Sequence, residues 1–262
     1  MTILLVLTGE SYRIGPQVSR GRGGEESKKR QRLASNSHMK LVTMLKAKNI
    51  DTDICMISYN YNEEYDTELC NMYNPYLKYI KLFPSLFPSE EHFINIVTSY
   101  IHDEIELSNY SHIVFIRIDL YLKEYFLNNF KLNNDKVLFA HVDRNTNYTN
   151  YKGVCHFLCM FPKQYFNWIG CRQPHTAASD LANHIGNNHI GLMIPTLHLI
   201  STDLEWNPLY IQVGRHNSLE FSEQHTIYNV TTNCIEQSES IPFWYDILKK
   251  EDVLVNLLEL TI

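Results

Sequence analysis

The apolar positions of the first 120 residues follow two alternating rhythms. "ILLVLTG", beginning at Ile3, is a continuous apolar run with β-branched members, the pattern of a strand buried on both faces. "DICMISYN" from Asp53, "YLKYIKLF" from Tyr76 and "HIVFIRID" from His112 read as three more strands. Between them the spacing turns helical. From about Gln31 to Lys48 the residues Leu41, Val42 and Leu45 share one face, and in "EEYDTELCNMY" Tyr65, Leu69, Met72 and Tyr73 do the same. Ser89 caps a third helix, with Glu90 and Glu91 in its first turn and Phe93, Ile96, Val97, Tyr100, Ile101 and Ile105 in one stripe.

Strand–helix alternation of this kind predicts a Rossmann-type α/β fold with a mixed, mostly parallel sheet and flanking helices. Ligands in such sheets bind at the carboxyl ends of the strands. Thr8-Gly9, Tyr59-Asn60 and Arg117-Ile118-Asp119 are therefore expected on one rim. The second half is less regular. "KVLFAHV" and "GVCHFLCMF" read as strands, the latter with alternating faces, "HTAASDLANHIG" as a short helix, and "IGLMI" and "LYIQV" as late strands. Without an internal repeat or a low-complexity linker, residues 1–262 are expected to form a single domain.

Composition narrows the function classes. A net charge of −6 gives no broad basic field, which argues against nucleic acid and anionic membrane as partners. "MTILLVLTGES" lacks a basic leader region and "VLVNLLEL" is too short to span a bilayer, so a cytoplasmic chain without a membrane span is expected. The six cysteines form no C-x-x-C pair, which fits buried thiols in a reducing compartment. Tyrosine is frequent, at 17 copies, and suits amphipathic surface as well as core.

The chemistry-bearing candidates begin at the strand end. A carboxylate there, Asp119, is placed to hold a divalent cation that clamps a diphosphate, and Arg117 points to the same face. The plain alternative is an Arg117–Asp119 ion pair tying the strand end down. After the first strand, Gly9 permits a sharp turn, and Arg13, Arg20 and Arg22 among glycines suggest a mobile cationic lid. "DTD" at 51–53 has the spelling of a metal–diphosphate motif but precedes its strand, which puts it on the opposite rim. Asp143, after "VLFAHV", and Asp180 are candidate general bases toward an acceptor hydroxyl. His141, His184, His189, His198 and His216 are candidate third ligands, although a lone histidine is more often structural.

Taken together, "TGESYR", the Arg/Gly loop, "QRLASNSHMKLV", "SHIVFIRIDLYL" and "EWNPLYIQVGR" resemble glycosyltransferases of the GT-A type. The likeness is greatest to divergent ones encoded by large algal DNA viruses, algae and bacteria, over roughly residues 3–216. In those, R-x-D after a hydrophobic strand takes the place of D-x-D. The resemblance implies a GT-A-like fold, with a nucleotide-binding part at about 1–120 and an acceptor part at about 121–262. It also implies transfer of a sugar from a nucleotide-sugar such as a UDP-sugar to a hydroxyl of a glycan or glycoprotein acceptor, in the host cytoplasm if the source is viral. Thr8, Gly9, Arg13, Tyr59, Arg117, Asp119 and Arg215 would serve the donor, Asp119 and His216 a manganese or magnesium ion, and Asp143 or Asp180 the acceptor proton. Tyr12 and Tyr59 would stack on the base or sugar. Two other readings stay open: another nucleotide-using α/β transferase, and a non-catalytic carbohydrate-binding protein that kept the fold and lost the metal site.

Overall fold

The computed structural model describes residues 1–15, 21–87, 89–140, 142–143, 153–154, 157–171, 181, 184–193, 209–213, 226–229, 234–237 and 245–246. The architecture is mixed α/β, with a mostly parallel main sheet, short antiparallel ribbons and flanking helices. The chain divides into two compact units, Met1–Phe130 with Leu209–Glu223, and Lys131–Pro208 with Gln224–Ile262.

Four strands make the centre of the first unit: β1 (Thr2–Gly9), β4 (Asp51–Tyr59), β5 (Leu77–Phe83) and β6 (His112–Arg117). They lie in the order β6-β1-β4-β5 and every pairing is parallel. Ile3 to Leu7 of β1 and Ile113 to Ile116 of β6 are all but fully buried, as their unbroken apolar runs require. The helices α1 (Glu25–Ala47), α2 (Glu63–Tyr73) and α3 (Glu90–Glu104) alternate with these strands. Asn62 and Ser89 cap α2 and α3 by accepting from the amides of Tyr65 and His92. Short antiparallel ribbons complete the unit: β2 (Arg13–Ile14) with β3 (Gly21–Arg22), and β7 (Leu120–Leu122) with β13 (Tyr210–Gln212), beside α4 (Glu124–Asn129).

The second unit holds β8 (Val137–Phe139), β9 (Val142–Asp143), β10 (Gly153–Val154), β11 (Leu158–Pro162), β12 (Ile190–Leu192), β14 (Thr226–Asn229), β15 (Cys234–Gln237) and β16 (Tyr245–Asp246). Here β12 runs parallel to β8, while β11 pairs antiparallel with β8 and β16 with β12.

Two local expectations change. Helix α1 begins at Glu25, not near Gln31, and its first turns are packed rather than solvated: Ser27, Lys28, Arg30 and Gln31 are buried. The charges there are matched from outside the helix and along it. Lys28 and Arg32 pair with Glu64 and Glu68 of α2, Arg30 pairs with Glu26, and Arg30 Nη1 donates to the Val213 carbonyl at 2.6 Å. The "GVCHFLCMF" stretch is split, and its β11 part is buried along its whole length instead of alternating.

Candidate functional site

Parallel register brings three strand ends to one edge. Thr8 stands opposite Arg117 and Gly9 opposite Ser58, so Thr8-Gly9, Tyr59-Asn60 and Arg117-Ile118-Asp119 share the carboxyl rim as expected. The turn after β6 is anchored to β1 by Ile118 N–H donating to the Thr8 carbonyl at 2.7 Å, and Val213 N–H donates to the Asp119 carbonyl at 3.1 Å. Gly9 has φ of +106°, and a Cβ there would stand 3.1 Å from Arg117 Cγ. The arginine stem thus lies against bare backbone, which is what a glycine at this point makes room for.

Arg117 Nη2 meets Asp119 Oδ2 at 2.6 Å, with the two side chains 12% and 3% exposed. The ion pair that the sequence offered as the plain alternative is therefore present. It leaves one carboxylate oxygen over: Asp119 Oδ1 is buried and has no hydrogen-bond partner among the described residues. A buried carboxylate oxygen left in that condition costs stability unless something engages it.

The loop after β1 differs from a mobile lid in its described part. Ser11 and Tyr12 are fully buried and Arg13 is nearly so. Arg22 donates to the carbonyls of Ser11, Tyr59 and Asn60 at 3.0–3.2 Å and lies 3.6 Å from Glu10 Oε1. This arginine staples the loop after β1 to the loop after β4. Arg20 lies outside the described residues.

Neither tyrosine expected to stack on a ligand is available for it. Tyr12 is fully buried, with its hydroxyl donating to the Tyr65 carbonyl at 2.8 Å. Burial pushes its phenol well above the ordinary range. Tyr59 stacks on Phe93 of α3 at 5.1 Å, within a cluster that includes Phe83 and Phe87. The aromatic that stands out at this rim is Tyr61, 41% exposed. Its ring lies against Gly23, where a Cβ would come within 2.2 Å of the Tyr61 hydroxyl, and under the Arg22 guanidinium at 5.1 Å. Sequence reasoning passed over Tyr61. Its only signal was a position two residues beyond a strand end.

Other candidates among the described residues have partners of their own. Asp53 of "DTD" sits at the start of β4, on the opposite edge as expected, where its Oδ2 accepts from Lys78 Nζ at 2.8 Å and from the Tyr110 hydroxyl at 2.7 Å. His184 stacks on Trp168 at 4.7 Å, and His189 Nδ1 is 2.7 Å from the Tyr165 hydroxyl. The backbone of Asp143 pairs with Gly153 in the β9–β10 ribbon, and its side chain lies outside the description. Asp180, Arg215, His216, His141 and His198 also lie outside the described residues. Among the described residues no three His, Cys, Asp or Glu side chains gather as metal ligands, and no helix is long and apolar enough to cross a membrane.

No family model matches the sequence, and no curated protein matches it either. Solved structures do resemble the fold. A glycosyltransferase involved in glycosylation of the major capsid of PBCV-1 is 10% identical, with TM-score 0.35, over 72% of this chain and 69% of that one. An active-site mutant of LgtC is 9% identical, with TM-score 0.42, over 84% and 85%. The galactosyltransferase LgtC in complex with donor and acceptor sugar analogs is 8% identical, with TM-score 0.37, over 70% and 64%. At this level of likeness no activity is carried over from them.

Proposed function

We propose that the chain is a glycosyltransferase that binds the diphosphate of a nucleotide-sugar at the rim formed by Gly9, Arg117 and Asp119, and transfers the sugar to a hydroxyl of a glycan or glycoprotein acceptor. The observation that carries this reading is the buried Asp119 carboxylate at the carboxyl edge of a parallel sheet, with Oδ2 held by Arg117 and Oδ1 without a hydrogen-bond partner among the described residues. A structural ion pair alone leaves that second oxygen unexplained.

A divalent cation is part of the proposal, and Oδ1 fits one ligand position. His216, three residues beyond the Val213 whose amide holds the Asp119 carbonyl, is the second candidate ligand. Manganese or magnesium bound there would neutralise charge on the departing diphosphate. What the chain's own groups do is separable from that. Arg117 holds the carboxylate in place and brings positive charge to the rim, Gly9 makes room for the Arg117 stem, and the partly exposed Tyr61 adds an aromatic surface to the rim. Asp143 and Asp180 remain the candidate acceptor bases.

Calorimetry of UDP and GDP, each with manganese and with EDTA, tests the reading. Binding of a nucleoside diphosphate, tighter with manganese, is the expected result. Equal binding in both would take the cation out and leave Arg117 as the principal phosphate group. No binding in either would overturn the donor site. A second reading, a non-catalytic binding protein with the same fold, is favoured by the closed Arg117–Asp119 pair. It predicts nucleotide-sugar or glycan binding without turnover.

A further inference from the structure

Helix α1 reaches both the loop after β1 and the turn after β6 through Gln31. Gln31 is 2% exposed, and its carboxamide is used at both ends. Oε1 accepts from Tyr12 N–H at 3.1 Å, in the loop after β1, and Nε2 donates to the Ile118 carbonyl at 3.0 Å, in the turn between Arg117 and Asp119. The second Nε2 proton faces Ser35 Oγ at 3.5 Å. Ser35 Oγ in turn donates to the Tyr73 hydroxyl at 2.9 Å, and that hydroxyl lies 3.0 Å from His38 Nδ1. Burial pushes the His38 imidazole down to about 4, so it is neutral at physiological pH. The amide's orientation is fixed by its backbone partners, the Tyr12 N–H that Oε1 accepts and the Ile118 carbonyl to which Nε2 donates.

From this geometry we infer that Gln31 is a positioning residue for Asp119, locking the loop after β1 and the turn after β6 in mutual register. The inference rests on the donor-site reading for its functional consequence, but not for its structural one. Two backbone bonds also hold that turn: Ile118 N–H donates to the Thr8 carbonyl of β1, and Val213 N–H, just past β13, donates to the Asp119 carbonyl. Ser37 Oγ of α1 accepts Leu122 N–H at 2.9 Å further along. Gln31 bonds the loop after β1 and the turn after β6 at once, and an amide is a side chain that can accept from one and donate to the other.

Two variants separate position from mere folding. Gln31→Met keeps the volume and removes both bonds. Gln31→Glu keeps the shape and the acceptor. As a carboxylate it opposes the Ile118 carbonyl, and as a protonated acid it restores the donor. In hydrogen–deuterium exchange, amides of 10–14 and 117–122 should both speed up in Gln31→Met, each by about tenfold as expected for loss of one buried bond. Exchange that rises in one segment only, or in neither, overturns the bridge whether or not the protein binds nucleotide. For the functional part, UDP affinity in manganese should fall about tenfold in Gln31→Met at every pH. Gln31→Glu should match it at pH 8 and move back toward the parent chain by pH 5.5. Variants that melt cooperatively and bind UDP as the parent does would refute the positioning role. A parent chain that binds no UDP refutes the donor-site reading instead, and the exchange result still decides the bridge. Should Gln31→Met fail to fold, Gln31→Glu carries both measurements, since protonation alone switches its donor.

Discussion

Replacing Asp119 by asparagine separates the two roles that its carboxylate can play. The perturbation keeps shape and removes one charge beside a guanidinium 2.6 Å away. Breaking a buried ion pair by removing one partner costs about 3–5 kcal/mol. Asparagine, however, retains an oxygen that accepts from Arg117, so about 1–3 kcal/mol is the expected loss, equivalent to a drop of roughly 2–12 °C in melting temperature. The functional loss is of another size. A preorganised group facing the charge that develops on a leaving diphosphate contributes about 100- to 1000-fold in rate when removed one at a time. Melting temperature and sugar transfer from a panel of nucleotide-sugars, measured on the same preparation, give both numbers. The reasoning fails if the melt drops as expected while transfer per folded molecule is unchanged, because Asp119 would then be a partner of Arg117 and nothing more.

Gly9→Ala should destabilise by about 1–2 kcal/mol and weaken UDP binding, since a Cβ at φ +106° would press on the Arg117 stem; an unchanged melt and affinity would show that the rim tolerates it. Tyr12→Phe should cost about 1–3 kcal/mol in chemical denaturation through the lost bond to Tyr65 and leave UDP affinity untouched. A fall in affinity would return Tyr12 to the site. His38, pushed down to about 4 by burial, is neutral in the folded chain while the unfolded chain takes up a proton near the ordinary histidine value of about 6.5. Stability should therefore decline as pH falls from about 6.5 toward 4, by at most about 3 kcal/mol, and His38→Gln should flatten that slope. An identical slope in the variant would place the titration elsewhere.

The centre of the fold was legible because β1, β4 and β6 each contain an unbroken apolar run, at 3–7, 54–57 and 113–116, as strands covered on both faces require. The start of α1 was not. Its first turns carry Glu25, Lys28, Arg30 and Arg32, and periodicity of apolar residues does not register a helix face whose partners are acids of α2 and of α1 itself. The same limit explains the loop after β1. Arginines among glycines read as solvated until the carbonyls that Arg22 holds are known, and those belong to residues 37 or 38 positions away as well as to a close neighbour. Tyr12 and Tyr59 were misjudged because a tyrosine suits core and ligand face equally in a linear reading.

The rim itself was readable from Arg117 and Asp119, two side chains at i and i+2 beyond a buried strand, and their pairing was also foreseeable. What sequence could not supply was the accounting of the two carboxylate oxygens. One is consumed at 2.6 Å by Arg117, and the other has no hydrogen-bond partner among the described residues. The pairing and the proposed site are therefore not rivals. An arginine that fixes one oxygen lowers the freedom of the carboxylate and points its second oxygen in a set direction, which is how a binding group is preorganised. Holding the turn from beneath, Gln31 extends the same logic one step further from the rim.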